Sequence, residues 1–469
     1  MWSLNGTDGG VVGDHWVYIS TPEVEPVVFT IKDGAGNSHT GVVSNTSPVG
    51  LHIAILSGTI VANTTGGWAG THTPHLVTGM AKLNVKLNDG LIVEAQRPVY
   101  VSVRQKSGSQ GEISASPGRK GLGTEFRALF AFNVKSTNTW RGSFISIMST
   151  EPGTTTVSIA VRPGVKLYGL PDANNDGATD THTITLDQYE SYIVGIQDST
   201  YTGTALIANL NGTRVTSDKL IAVTSGYFLG GPTDNSRQDA GFDQLVPTEL
   251  AGTEFVMIKG NAANTSVLET VTVVATEDGT DLYVKGETTP YNTTPLNAGE
   301  HAFIQGQYVG DGLYLRASKP VLVVQGIGGS DSLATSGANV IPPIGVDVSN
   351  FVDNIPVVNF YGTATIGIVS RAGATVTLNG AAPSVAPQPI TGAPDWVTYK
   401  ITGMTGTVSV VSNAAVAVSL INVEPCPGAA CRHGLLAVEP SAIHRWQVGC
   451  RAGSVDGILG DDLQHPARS

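Results

Sequence analysis

The sequence predicts an all-β protein of four internal repeats of about 100 residues, each an antiparallel, sandwich-like unit packed on the next. Three observations lead to this fold class. One strand–corner–strand hairpin recurs four times, short β-branched runs between Gly, Asn, Thr and Pro clusters fill the intervals, and no convincing amphipathic helix interrupts them. A β-propeller with two blades per repeat fits the same spacing and is the alternative architecture.

The recurring hairpin begins at a glycine and bends at a polar corner. Its copies occupy residues 90–103, 212–225, 312–326 and 406–419. In every copy the corner residue stands seven positions after the glycine, at Arg97, Lys219, Lys319 and Asn413. Glycine admits the positive φ that a tight turn needs, at Gly312 for example, and the Val/Leu run after the corner suits a strand buried on both faces. Constant spacing over so long a chain indicates a true internal repeat.

The hairpins divide the chain into five predicted regions. Residues 1–134 form the first repeat, expected to be incomplete at its N-terminus, residues 135–256 the second, residues 257–358 the third and residues 359–425 a shorter fourth. No Pro-rich or charge-rich linker separates them, so we expect direct packing between repeats. Residues 426–469 lack periodicity and contain all three cysteines. They are predicted to be an irregular tail outside the fold.

The composition indicates a protein that works outside the cell or on its surface. Charged residues make up 14 % of the chain, below the roughly 25 % usual for soluble domains, and Gly, Thr, Ser, Val and Asn are abundant. The net charge of −12, without any basic run, argues against a nucleic-acid partner. No apolar stretch has the length of a membrane helix and the N-terminus lacks signal-peptide features. Neither membrane insertion nor an export signal is therefore predicted within this chain.

Calcium is the cofactor that the sequence predicts. Four oxygen-bearing side chains occupy loop positions 1, 3, 5 and 9, with Gly177 at position 6, and they are Asp172, Asn174, Asp176 and Asp180. Hard Ca²⁺ needs several oxygens that converge from a tight bend, which this spacing supplies. Position 12 is Thr183, which lacks the usual bidentate carboxylate, and the residues after the loop alternate like a strand. The prediction is a weak, EF-like site in a β context, with a polar surface turn as the alternative.

Two other groups of metal-ligand residues are weaker. His72 and His75 form an H-x-x-H pair without an identifiable acidic third ligand. Cys426 and Cys431, followed by His433, lack a second pair of ligands. Solvated loop residues explain both groups better than a metal site does.

Signals for catalysis are sparse. The chain has neither a G-x-S-x-G elbow nor an H-E-x-x-H motif. Ser225 ends a buried strand, where a nucleophile could stand, but the repeat places Ser419 at the same position, so structure explains it more simply. The long loop after residue 226 contains several charged residues and is a candidate binding or catalytic loop. These residues are Asp234, Arg237, Asp239 and Asp243.

Several ordered motifs resemble the N-terminal domain of the IgG Fc-binding protein family, which occurs in animal mucus proteins and in bacterial surface and secreted proteins. They are VTSDKLIAVTSG at 215–226, QLVP at 244–247 with GTEF at 252–255, ATEDGT at 275–280 and SKPVLV at 318–323. The resemblance covers about residues 86–423. Leu220 stands where the family motif has proline, and the Cys-rich modules of the animal proteins are absent. The resemblance implies an extracellular binding or adhesion module, and it carries over neither Fc binding nor a catalytic set.

We therefore expect an extracellular or cell-surface binding or adhesion protein. Its β-repeats are expected to be stabilised by calcium. Its expected partner is an extracellular glycan, protein or small-molecule ligand. The alternative is a calcium-dependent hydrolase of a small ester, lactone or glycoside, which the calcium-like loop and the long acidic loop favour.

Overall fold

The computed structural model describes residues 14–56, 82–107, 110–131, 143–196, 210–230, 239–330, 333–344, 349–360, 362–423 and 434–439. Over these ranges the chain is built from antiparallel strands, with short 3₁₀ segments at Ile53–Leu56, Gly118–Gly121 and Thr248–Leu250. The all-β class is thus confirmed. No helix among the described residues has the length and apolar character needed to cross a membrane.

Strand group 1 precedes residue 116. Its strands are β1 (Asp14–Ser20), β2 (Val27–Asp33), β3 (Ser38–Val43), β4 (Val49–His52), β5 (Lys86–Leu87), β6 (Leu91–Ala95), β7 (Tyr100–Ser107) and β8 (Gln110–Ala115). One sheet has the order β4-β1-β7-β8 and a second has the order β3-β2-β6. Alternate side chains of β2, from Val27, Phe29 and Ile31, are buried, so one face of this strand lies in a core.

Strand group 2 forms a single eight-stranded sheet together with β5. Its strands are β9 (Leu122–Arg127), β10 (Ser143–Ser149), β11 (Thr155–Ala160), β12 (His182–Leu186), β13 (Ser191–Gly195), β14 (Arg214–Gly230) and β15 (Asp239–Gln244). The order is β12-β11-β14-β10-β13-β5, and β9 and β15 also pair with β14. The long strand β14 is therefore the centre of the group.

Strand groups 3 and 4 follow. Group 3 contains β16 (Gly252–Ile258), β17 (Thr270–Ala275), β18 (Leu282–Val284), β19 (His301–Ile304), β20 (Gly312–Ser330) and β21 (Leu333–Ile341). Group 4 contains β22 (Phe351–Ile355), β23 (Thr363–Arg371), β24 (Val376–Leu378), β25 (Gln388–Ile390), β26 (Ala393–Met404), β27 (Val408–Ser412), β28 (Val416–Val423) and β29 (Gly434–Glu439). All pairs in group 3 involve β17 or β20, whereas group 4 has two sheets, β22-β27-β24 and β25-β26-β23-β28-β29.

Each group has a strand that changes partners at the polar corner predicted from the sequence. Before the corner, this strand pairs with β2, β11, β18 or β24, and after it with β1, β10, β17 or β23. In groups 2 and 3 the strand is continuous, as β14 and β20, and its pairing register with β9 and β16 shifts across the corner. In groups 1 and 4 it is split into β6 and β7 and into β27 and β28. The corner is thus the point at which this strand exchanges one neighbouring strand for another.

The turn before the corner differs among the groups. Gly212 and Gly406 have the expected positive φ, of 79° and 73°. The expectation of positive φ at Gly312 is wrong, because Gly310, with φ of 58°, makes the turn and Gly312 already pairs with Ile258. Gly90 is needed for a different reason: a Cβ there would lie 2.4 Å from the sulfur of Met148.

The buried hydrophobic residues form a core within each group, and further contacts join the groups. Phe29, Phe126, Phe255 and Ile366 belong to the cores of groups 1 to 4 in that order. Side chains on the outer face of group 3, from Val274, Leu322 and Val324, pack into the core of group 2. Similarly, Val369 and Trp396 of group 4 pack against Val256 and Ile258 of β16. Groups 2 and 3, and groups 3 and 4, therefore pack directly on each other.

Group 4 also contacts group 1, so the groups close into a ring. The Tyr100 hydroxyl donates a hydrogen bond of 2.6 Å to Asp353, and Arg104 Nη1 donates one of 2.8 Å to the carbonyl of Val357. At the centre of the ring, β8 lies beside β15 and β29, and β21 also lies beside both. The segment predicted to be an irregular tail, 426–469, contains β29, which pairs with β28 along its length. Residues 434–439 are therefore an edge strand of the five-stranded sheet of group 4 and not part of an irregular tail.

Candidate functional site

A cleft of about 460 Å³ lies between groups 1 and 2. The wall from group 1 is largely aliphatic and includes Val17, Leu91, Val93, Val101 and Val103. The wall from group 2 mixes apolar and hydroxyl side chains and includes Ser146, Met148, Ser191, Ile193, Ala222, Thr224 and Phe242. This size and this mixture of surfaces are typical of ligand-binding clefts.

Two connections join the groups beside the cleft. β5 adds to β13 of group 2, with Leu87 opposite Ser191. Close to this pair in sequence, the Lys32 ammonium lies 4.9 Å from the centre of the Tyr189 ring and 2.7 Å from Glu94 Oε1. Partial burial, the largest single influence, would lower the pKa of Lys32, but Glu94 and Tyr189 together outweigh it and raise that pKa. Both walls of the cleft are thus connected at this point.

The acidic residues of the cleft are neutralised by lysines. Glu94 pairs with Lys32, and Asp89 pairs with Lys82 at 2.5 Å. The cleft therefore contains no pair of free carboxylates for acid–base chemistry among its described residues. Its apolar walls and hydroxyl groups suit binding by shape and hydrogen bonding.

Cavities at the next two junctions of the ring are much smaller. A cavity beside Leu322, between groups 2 and 3, measures about 20 Å³, as does one beside Val369 and Trp396, between groups 3 and 4. Large apolar side chains fill those junctions, as expected for close-packed interiors. Of these three cavities among the described residues, the cleft between groups 1 and 2 is by far the widest.

A second unusual environment surrounds the buried carboxyl group of Glu269, which precedes β17. Its oxygens accept hydrogen bonds from the backbone N–H groups of Gly260, Ala262 and Gly328, at 2.9, 3.0 and 3.2 Å. Burial raises the pKa of Glu269 to about 7, and the three N–H donors only partly oppose this shift. Lys259 lies nearby, and its ammonium donates to the carbonyl of Ala262. Glu269 thus organises the loop between β16 and β17.

The raised pKa of Glu269 predicts a pH-dependent stability. Because the folded pKa of about 7 exceeds the unfolded value of 4.5, this group's stabilisation is complete below pH 4.5 and is lost as the pH rises through 7. The loss is on the order of 3 kcal/mol. We expect denaturant unfolding from pH 5 to 8 to show this fall, and Glu269→Gln, which cannot titrate, to show a flatter profile. Equal slopes for both proteins would contradict the prediction.

The predicted calcium loop connects β11 to β12 and is closed by its own hydrogen bonds. Asp172 Oδ1 accepts the N–H of Asp176 at 3.1 Å, and Asp180 Oδ2 accepts the N–H of Ala173 at 2.8 Å. Asn174 Nδ2 donates to Asp176 Oδ2 at 3.0 Å. The described residues include no group of three or more His, Cys, Asp or Glu side chains arranged to hold a metal. The side chains are thus brought into one turn, but not into a cage of carboxylates.

A lysine would compete with an ion at this loop. Lys166 Nζ lies 2.7 Å from Asp172 Oδ2, and this hydrogen bond lowers the pKa of the Asp172 carboxyl. The donor set therefore fits a self-closed polar turn better than a calcium cage. Calcium binding by Asp172, Asn174, Asp176 and Asp180 stays a prediction.

We expect any calcium affinity of this loop to be weak, with a Kd on the order of 10⁻⁴ to 10⁻³ M, because Thr183 supplies no bidentate carboxylate. Saturating calcium would then raise the melting temperature of the wild type but not of Asp176→Ala. Lys166→Ala serves as the matched variant, since removal of the competing ammonium should strengthen the response. An identical calcium response in the wild type and Asp176→Ala would contradict calcium binding here.

Other residues that the sequence singled out have structural contacts or lie outside the described chain. Ser225 is fully buried, and its hydroxyl donates to the carbonyl of Leu129 at 2.6 Å. Asp243 joins three central strands, because it accepts hydrogen bonds from the Ser114 hydroxyl at 2.8 Å and from the Val340 N–H at 2.9 Å. Asp239 begins β15. The residues outside the described ranges are Asp234, Arg237, His72, His75, Cys426, Cys431 and His433.

Sequence reasoning missed the cleft and its lining. The lining residues are ordinary strand residues, and no local motif marks them. One signal was present: Gly-Thr-Glu-Phe occurs at 123–126 and 252–255, ahead of the second and third hairpins, and no copy precedes the first hairpin. That difference distinguishes the first group from its neighbours.

Comparison with known proteins gives one match. A family model described as "IgGFc binding protein" matches residues 113–421, about two thirds of the chain. Neither the curated proteins nor the solved structures contain a match to this chain. The matched region runs from β8 to β28 and so includes groups 2 and 3 and most of group 4. The chain therefore belongs to the IgGFc-binding protein family.

Proposed function

We propose that this chain is a non-catalytic, extracellular binding protein whose partner is another protein. The family match over residues 113–421 carries this proposal, because the family is described by its binding of the IgG Fc region. The low content of charged side chains and the cleft between groups 1 and 2 support it. The Fc region is accordingly the first ligand to test.

The scaffold behind this function is, we propose, four internal repeats of one unit. The supporting observation is the pairing scheme, in which a corner strand has one partner before its corner and another after it in every group. A closed ring of such units offers rigid junctions where a ligand can bind at little cost in ordering the protein. Sandwich-like units are part of this proposal, with a propeller of two blades per repeat as the alternative.

The alternative, a calcium-dependent hydrolase, receives less support from the described residues. Ser225 donates its hydroxyl to a carbonyl, and Asp243 is engaged by two donors, so neither is placed as a nucleophile or a base. The acidic residues at the cleft are paired with lysines. These observations favour binding over turnover.

Surface plasmon resonance on immobilised IgG Fc tests the proposal directly. We expect saturable binding to Fc and none to immobilised serum albumin, together with no turnover of ester, lactone or glycoside substrates with or without EDTA. EDTA-sensitive turnover would overturn the non-catalytic assignment. Absence of saturable binding to Fc would overturn the assignment of this protein ligand.

A further inference from the structure

One sequon for N-linked glycosylation lies inside group 2. A sequon is Asn-x-Ser or Asn-x-Thr without proline at x, and in secreted proteins its asparagine normally stands on a surface loop. The chain contains six sequons, at Asn5, Asn45, Asn63, Asn211, Asn264 and Asn292. The structure describes four of the six, and of these Asn45, Asn264 and Asn292 are partly exposed, whereas Asn211 is 0 % exposed.

Asn211 is held by hydrogen bonds on both polar atoms of its side-chain amide. Its Oδ1 accepts the backbone N–H of Phe130 at 2.7 Å, and its Nδ2 donates to the carbonyl of Phe130 at 3.2 Å. Phe130 is itself fully buried in the core of group 2. The side chain of Asn211 thus pairs with both backbone groups of a core residue, as a neighbouring strand would.

The backbone around Asn211 is equally confined. The N–H of Thr213 donates to the carbonyl of Leu210 at 2.9 Å, so residues 210–213 form a β-turn with Asn211 and Gly212 at its centre. Gly212 has a φ of 79°, and a Cβ there would overlap the carbonyl oxygen of Gly299 in group 3. The turn is therefore packed at the junction of groups 2 and 3, where an added substituent has no outlet to solvent.

Glycosylation of Asn211 would disrupt this arrangement. The reaction transfers an oligosaccharide from a polyprenyl pyrophosphate: a bond forms between Nδ2 and the sugar C1, the bond from C1 to the pyrophosphate breaks, and Nδ2 loses one proton. The product carries a bulky polar sugar on the nitrogen that donates to Phe130. Because buried hydroxyl groups without hydrogen-bond partners are costly, group 2 could not close around such a sugar.

The acceptor nitrogen is accessible before the chain folds. β14, which is the centre of group 2, begins at Arg214, directly after the sequon, and pairs with β9, β10 and β11. These pairings form only after β14 has been synthesised, since a chain emerges from its N-terminus. An enzyme that glycosylates the emerging chain therefore meets Asn211 before the core of group 2 can bury it.

We propose that Asn211 is a modification site whose N-linked glycosylation prevents this protein from folding. A cell that makes the protein in its folded form must then make it in a compartment where this reaction is absent. The inference does not depend on which ligand the protein binds. It singles out Thr213, because the loss of its hydroxyl abolishes the sequon and leaves Asn211 in place. That hydroxyl is buried and has no hydrogen-bond partner in the part of the chain that the structure describes.

Secretion of the full chain from cultured mammalian cells, behind a cleavable signal peptide, tests the inference. We expect the wild type to be retained with a glycan on Asn211, which mass spectrometry detects as aspartate after enzymatic removal of the glycan. Thr213→Val should increase the amount of secreted protein at least about fivefold. Asn45→Gln removes a partly exposed acceptor, so it is the matched control and should be secreted no better than the wild type.

Production in the bacterial cytoplasm, where this reaction is absent, establishes that the variant folds. Thr213→Val should melt there no lower than the wild type, because the hydroxyl that it removes has no partner among the described residues. Thr213→Ala, a second variant without the sequon, should be secreted as Thr213→Val is. Equal secretion of the wild type and both Thr213 variants would overturn the inference, as would folded, secreted wild type that carries a glycan on Asn211.

Discussion

Replacement of Phe126 by alanine is expected to lower the free energy of unfolding by about 3–5 kcal/mol, the usual cost of truncating a fully buried phenylalanine. Phe126 is 0 % exposed and lies in the core that joins groups 2 and 3. The side chain therefore contributes both to its own group and to the junction with the next. Chemical denaturation of wild type and variant, with an unchanged m-value, is the appropriate measurement.

Two further variants make this prediction specific. Phe255→Ala, at the equivalent position on β16, should cost a similar amount, because Phe255 is also fully buried. Val411→Ala, at a position 47 % exposed, should change the free energy of unfolding by no more than about 0.5 kcal/mol. A loss below about 1 kcal/mol for both phenylalanine variants would contradict the assignment of these residues to the cores.

Replacement of Glu269 by alanine is the second change with a large expected effect. It leaves the buried N–H groups of Gly260, Ala262 and Gly328 without their acceptor. Each unsatisfied buried donor costs about 1–3 kcal/mol, so we expect the three together to cost roughly 3–9 kcal/mol. The loop between β16 and β17 should also exchange its amide hydrogens faster, which hydrogen–deuterium exchange measures.

The matched control is Glu277→Ala, which removes an exposed carboxylate from the turn after β17. That variant should keep wild-type stability within about 0.5 kcal/mol. If Glu269→Ala lowered the free energy of unfolding as little as Glu277→Ala does, the three amide hydrogen bonds would contribute little to stability. That result would contradict the prediction.

The all-β class and the corner positions were predictable because both depend on local chemistry. Alternating β-branched residues, turn glycines and the polar corner at Lys219 or Lys319 determine strands and bends over short stretches of chain. Even here the local rule has limits. Gly310 makes the turn predicted for Gly312. Either glycine could adopt the positive φ of that turn, and the pairing of Gly312 with Ile258 determines that Gly310 adopts it.

Ring closure and the cleft were not predictable, because they depend on contacts between residues far apart in sequence. Tyr100 meets Asp353, and β29 joins β28 although its surroundings in the sequence lack periodicity. Asp243 looked like part of an acidic loop, yet it bonds across three strands of the ring centre. The spacing of Asp172 and Asp176 in the sequence indicated that they share one turn. It did not indicate that Lys166 would pair with Asp172.

The proposed binding of a protein ligand at the junction of groups 1 and 2 can be located by hydrogen–deuterium exchange. The full chain is compared with and without saturating IgG Fc. We predict slower exchange on binding in residues 91–94 and in the facing strand β13, with the junction of groups 3 and 4 unchanged. Protection confined to other surfaces, with residues 91–94 exchanging as in the free protein, would contradict the claim.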